Sequence, residues 1–340
     1  MNMRILCLSL ALAACTPATP RTSSAGLVVV TNEDSGELTL IDAATDSVVA
    51  TIPVGKRPRG VKLSADGRLA LVALSGSPKC PPSMPDEECA RLTSDKTADG
   101  IGVIDLVARS VLRVLPGGSD PEQFDLSKDG TYLVVSNEDA GKASFVDRST
   151  GTVTAEVTVG GEPEGVRFSP DGAEVWVTSE QEASVHVLDA ATRTEKVVIP
   201  VGRRPRDLDF SPDGARAWVS GEVDGVVTVV DARTHRPLRN ITLPTGAKPM
   251  GVRVSPDGSR VYISNGRGRT VSVLDARTDS LLADIDVGAR PWGLALSADG
   301  TKLYTANGPS NDVTVIDTRT LQVVKRIAVG RTPWGVVVTR

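Results

Sequence analysis

Seven residues occupy one recurring place in this sequence and differ sharply in chemistry: Arg59, Glu122, Glu164, Arg206, Met250, Trp292 and Trp334. Each follows the Pro of a Pro-x-Gly frame that recurs along the chain, with Gln123 and Asp207 in place of its Gly in two copies, while the residue after Pro changes. Arg57, Arg290 and Arg331 stand just ahead of three of these prolines, and guanidinium beside indole is a pairing enriched where proteins bind. The usual catalytic groups are scarce. His186 sits in an alternating strand pattern and His235 at an Asp-x-x-Thr turn, so the only two histidines form no metal-ligand cluster. No Cys-x-x-Cys-His marks a haem and no Gly-x-Ser-x-Gly marks a nucleophile elbow. Asp207, Asp209 and Asp213 in DLDFSPDG resemble a calcium loop, but Pro212 stands at the sixth position, where that loop needs Gly. Asp213 reads as a turn residue. No catalytic residue, metal or cofactor is therefore assigned.

The elements that must position these residues follow from the repeat. The frame prolines Pro58, Pro121, Pro163, Pro205, Pro249, Pro291 and Pro333 are spaced by 63, 42, 42, 44, 42 and 42 residues. A period near 42 suits one four-stranded propeller blade, and the first spacing is one such repeat with about 21 residues inserted. In each unit an apolar strand ends at Ser-x-Asp-Gly, where Asp accepts local backbone bonds and Gly takes a left-handed turn position. A second strand, an alternating third strand closed by Asp-x-x-Thr, and a fourth running into Val-Gly complete the unit. Residues 27–55 supply strands two to four without a first, and residues 332–340 supply a first strand alone. Joined, they make one blade and leave no open sheet edge. The expectation is an all-β fold: a seven-bladed β-propeller of four-stranded antiparallel blades, with the N- and C-terminal segments sharing one blade, as a single domain over residues 27–340. Only 3% aromatics, with 32 Gly and 22 Pro, fits many short strands and turns better than long helices.

The second-strand ends VYISN, LYTAN and LVVSN, with SPDG turns and VGxxPxG crossings, resemble the YVTN-type β-propeller repeat family over residues 27–340. That resemblance implies an exported or surface protein, often without an assigned activity; propeller lactonases that also resemble it use channel carboxylates to hold a metal. Trp176, Trp218, Tyr262 and Tyr304, each seven residues after a repeat Ser, are expected to pack between blades.

In such a ring the residue after Pro enters the innermost strand at one mouth of the central channel. Arg290, Trp292, Arg331, Trp334, Arg57 and Arg59 then fall in one sector of cations and indoles. Glu122, Glu162 and Glu164, with Glu138, Asp139, Glu180 and Glu182 from the loops after strand two, lie opposite. The alternative for the indoles is a plug in the channel mouth, and for the charges a solvated rim. The insertion, at about residues 75–100, falls beside the Trp/Arg sector as a lid or docking element.

The N-terminus MNMRILCLSLALAAC joins Arg4 to an apolar run too short to span a bilayer. Residues 1–14 read as a signal peptide, and Leu12-Ala13-Ala14-Cys15 resembles a lipobox that would make Cys15 the lipidated N-terminus; plain cleavage near Ala14 is the alternative. Residues 15–26 read as a polar tether. In an oxidising compartment Cys80 and Cys89 are expected to form a disulfide that pins the insertion, a two-Cys metal site being the weaker alternative. A net charge of −4 offers no footprint for duplex nucleic acid.

On sequence alone, binding is placed ahead of catalysis: a lipid-anchored, monomeric envelope propeller holding a protein or peptide partner through Arg57, Arg59, Glu122, Glu164, Arg206, Met250, Arg290, Trp292, Arg331 and Trp334. A lactonase- or lyase-like enzyme using channel carboxylates, with or without a divalent metal, is the alternative, followed by small-ligand or glycan binding.

Overall fold

A computed structural model describes residues 26–79, 84–89 and 91–339. Seven four-stranded antiparallel sheets stand around a channel, six of them running from the innermost strand outward in chain order. The frame prolines begin the innermost strands of blades two to seven, from Pro121–Leu126 to Pro333–Val338; in blade one that strand is Val61–Leu63. Pro333–Val338 pairs with Leu27–Asn32, so the two chain ends close the seventh blade as expected. The only helices among the described residues are short, Asp86–Cys89 and the 3-10 turns Lys96–Ala98 and Glu138–Ala140. None is long and apolar enough to cross a membrane.

The second and third strands are buried on both faces, so their side chains feed the spaces on either side of a blade. Seven apolar clusters result, each shared by two neighbouring blades. Trp176, Trp218, Tyr262 and Tyr304 are fully buried in four of them, packed as the repeat predicts. The Ser-x-Asp-Gly segments form tight turns: in blade five Gly258 N donates to the Ser255 carbonyl at 2.8 Å, and Gly258 sits at φ +70°, where Gly pays no steric cost.

Two devices set the channel wall. Blades two to seven each carry a bulge just after the frame proline, as between Pro163 and Val166. A bulge inserts one residue and reverses which face the following side chains take. The second device is a belt of hydroxyls. Ser264 Oγ donates to the Trp292 carbonyl of the next blade at 2.6 Å and accepts from Gly251 N of its own blade at 2.9 Å. Thr31, Ser136 and Ser220 bridge their blades in the same way. The blades approach closely here: a Cβ on Gly251 would lie 2.6 Å from the Trp292 carbonyl oxygen, and one on Gly293 2.6 Å from that of Trp334.

Candidate functional site: the central channel

The mouth ring is built by the residues after the frame prolines, and most of it is buried. Arg59, Glu122, Glu164, Arg206, Met250 and Trp334 are each 6% exposed or less, while Trp292 is half-buried. The charges are neither segregated nor solvated. Arg59 turns toward the next blade and pairs with Asp120, Glu122 and Glu138. Arg206 turns back toward the preceding blade, pairing with Glu164 and Glu180, and also meets Glu222 of its own blade at 2.8 Å. The expected division into a cationic and an acidic sector is corrected accordingly: a guanidinium withdrawn from water takes the nearest carboxylates, which neighbouring blades supply. Burial pushes Glu180 up to about 8 against the pull of Arg204, whose Nε lies 2.5 Å away.

The indoles do come together. Trp292 and Trp334 stack with centroids 5.2 Å apart, and the guanidiniums of Arg206 and Arg290 lie 5.6 and 5.0 Å from the Trp292 ring. Arg57 and Arg331 serve the rim. Arg57 Nε meets Glu33 at 2.9 Å, and Arg331 Nη2 donates to the Asp34 carbonyl at 2.9 Å. The insertion is tied to both neighbouring blades, through Lys79 to Glu33 and Asp34 at 3.0 Å and through Lys96 to Asp139. The Cys80–Cys89 pairing and Cys15 lie outside the described residues.

A second ring, three residues deeper, escapes the sequence reading. Three strand residues span about 10 Å, and at that depth stand Lys62, Asp125, Arg167, Asp209, Arg253, Ala295 and Val337. Lys62 Nζ is 2.9 Å from Asp125 Oδ1. Asp207, which replaces the frame Gly of blade four, takes Arg253 Nη1 at 2.7 Å and Arg167 Nη2 at 3.4 Å. Burial alone would raise the Asp207 carboxyl, but the two guanidiniums outweigh it and hold it below the ordinary carboxylate range. Lys62 goes the other way: burial, helped by the positive field of Arg167, lowers its ammonium to about 8 despite Asp125. Asp125 Oδ2 and Asp209 Oδ2 also accept, at 2.9 Å, from the amides of Phe168 and Val254 in the next blade, so these carboxylates space the blades as well.

The two rings enclose a cavity of about 350 Å³, within the range of small-molecule sites. Lys62, Arg167, Asp207 and Arg253 line one arc and Trp292, Ala295, Trp334 and Val337 the other. The channel carboxylates do not suit a metal: each is already taken by a guanidinium, an ammonium or a backbone amide, and among the described residues no group of three or more His, Cys, Asp or Glu is disposed to hold one.

A family model described as "Lactonase, 7-bladed beta-propeller" matches residues 165–330, just under half of the chain, from the inner strand of blade three to the outer strand of blade six. The blade number in that description agrees with the seven blades of this fold. Among solved structures, hydrazine synthase of Kuenenia stuttgartiensis is 21% identical, with a TM-score of 0.72 over 86% of this chain and 92% of that one. A proposed 6-phosphogluconolactonase of Bacteroides fragilis is 18% identical, with a TM-score of 0.75 over 95% of this chain and all of the other. A functionally unknown protein of Desulfotomaculum acetoxidans is 16% identical, at 0.74 over 93% and 99%. At these identities the likeness is one of fold. No curated protein matches the chain.

Proposed function

We propose that this propeller is a hydrolase of the lactonase kind, opening a small cyclic ester inside the channel. The observation that carries this reading is the cavity itself, with a stacked indole pair on one wall and an amine and two guanidiniums on the other. The partial family match and the lactonase assignment of a fold neighbour favour a hydrolase over a non-enzymatic scaffold, the reading placed first on sequence alone. Burial of Arg59, Met250 and Trp334 also leaves little of the mouth ring to a flat protein surface.

In the proposed step the ring of the substrate lies against Trp292 and Trp334. Water attacks the carbonyl carbon while Lys62, as the free amine, takes its proton. The oxyanion is met by Arg253, whose Nη1 alone is bound to protein, to Asp207 and the Val252 carbonyl. Collapse breaks the ring C–O bond, and the leaving alkoxide takes the proton back from Lys62. The hydroxy acid formed then loses its own proton to solvent.

The same proposal places the protein in the bacterial envelope as a YVTN-type lipoprotein, a monomer anchored through Cys15, with Cys80 and Cys89 joined. The deciding assay follows acid release by the purified full-length chain on a series of γ- and δ-lactones, aldonolactones included. Turnover above the solvent rate that falls at least about tenfold in Arg253→Met is expected. Solvent-rate hydrolysis of every lactone would overturn the proposal.

A further inference from the structure

We infer that Lys62 is a nucleophilic amine that captures small carbonyl compounds bearing a carboxylate, as reversible imines within the channel. This goes beyond the hydrolase reading and does not rest on it.

The argument begins with what surrounds the amine. An ammonium offers three donors, and the Lys62 side chain, 18% exposed, meets one acceptor, Asp125 Oδ1 at 2.9 Å. Lys62 is also one of the residues that line the cavity. The charged groups around that stretch of wall are Asp125 beside it, Arg167, Asp207 and Asp209 further along the ring, and Arg253 across the channel. Arg167 and Arg253 both act against a positive charge on Lys62. A desolvated lysine among other cations is a familiar way to keep an amine free and nucleophilic near neutral pH.

The same residues say what the carbonyl compound should carry. Arg253 lines the cavity, is 23% exposed and spends only Nη1 on the described residues, which leaves Nε and Nη2 available as a fork for a carboxylate. Ala295 and Val337 offer a small apolar wall beside it. An α-oxo acid with a short alkyl group fits this combination: carboxylate on Arg253, carbonyl carbon at Lys62 Nζ, alkyl group against Ala295 and Val337.

The chemistry balances without another reactant. The free amine adds to the carbonyl carbon to give a carbinolamine, and the carbinolamine oxygen leaves as water once protonated. The C=N bond formed is returned to amine and carbonyl compound by the same water.

The test uses the full-length wild-type chain at pH 8 with pyruvate and cyanoborohydride, which reduces the imine to a stable carboxyethyl-lysine. Peptide mapping then reads which lysines are labelled, with acetaldehyde as a parallel probe lacking the carboxylate. The expected result is labelling of Lys62 at least about tenfold above an exposed lysine such as Lys325, with pyruvate favoured over acetaldehyde at Lys62 alone. Arg253→Met should lower pyruvate capture about tenfold more than acetaldehyde capture. Labelling of Lys62 no faster than of Lys325 would overturn the inference, and equal capture of the two probes would overturn its carboxylate part. Because the mapping is done on the wild-type chain, neither result depends on a variant folding. A protein that opens lactones but leaves Lys62 unlabelled would keep the hydrolase reading and lose this one.

Discussion

Trp292 and Trp334, carried by adjoining blades, stack with their planes 30° from parallel, yet they are not equivalent. Trp334 is 6% exposed, whereas Trp292 is half-buried, with the guanidiniums of Arg206 and Arg290 over its ring. Trp334→Ala is expected to cost ~3 kcal/mol of stability, and Trp292→Ala less than half of that. Urea unfolding separates the two. Losses of equal size would show that both indoles only plug the mouth.

The hydroxyl belt predicts another contrast. Ser264→Ala removes both the bond to the Trp292 carbonyl and the one from Gly251 N, and should cost ~1–3 kcal/mol. Ala306 fills the matching place in blade six, and Thr305 beside it has a buried Oγ1 without a partner, so Thr305→Val should be neutral or stabilising. Thermal unfolding of the two variants decides whether the belt matters. A neutral Ser264→Ala would remove it from the account.

Lys62 ties stability to pH. Its ammonium is lowered from 10.5 to about 8 in the fold, first by burial and then by Arg167. Between those two values the unfolded chain binds the extra proton, so the contribution of Lys62 to stability rises as pH rises through that window. From pH 7.5 to 9.5 the wild type should gain on the order of 1–2 kcal/mol relative to Lys62→Met. Parallel curves for the two proteins would mean that Lys62 titrates as an ordinary lysine.

The anchor is open to a direct check. The proposed lipidation predicts that the full chain expressed in a bacterial host enters the membrane fraction and that Cys15→Ser moves it out. Equal partition of both forms would contradict lipidation at Cys15.

The ring was legible in the sequence because turn chemistry repeats: Ser-x-Asp-Gly marks blades one to six and Asp-x-x-Thr blades two to seven, and the incomplete ends at Leu27 and Val338 visibly complement each other. The mouth ring was legible as a variable place in a fixed frame. Its pairings were not, because Arg59 with Glu122 and Arg206 with Glu164 join blades about 42 to 63 residues apart, and the direction of a long side chain is a matter of packing. The deeper ring was hidden by the bulge. Strict alternation from Glu164 would send Val166 and Phe168 to the channel, whereas the extra residue turns Val166 into the core and Arg167 inward. One signal was present: Gln123 and Asp207 break the Gly of the frame, and both line the cavity.

The central claim is that the channel cavity works on a small ester through Lys62. The measurement that tests it most directly is the pH dependence of kcat/KM for the best lactone substrate. The account predicts a rate that rises with pH and levels above about 8, as Lys62 loses its proton, and a Lys62→Met protein without that rise. Turnover that ignores pH across this range, or that survives Lys62→Met with the same profile, would contradict it.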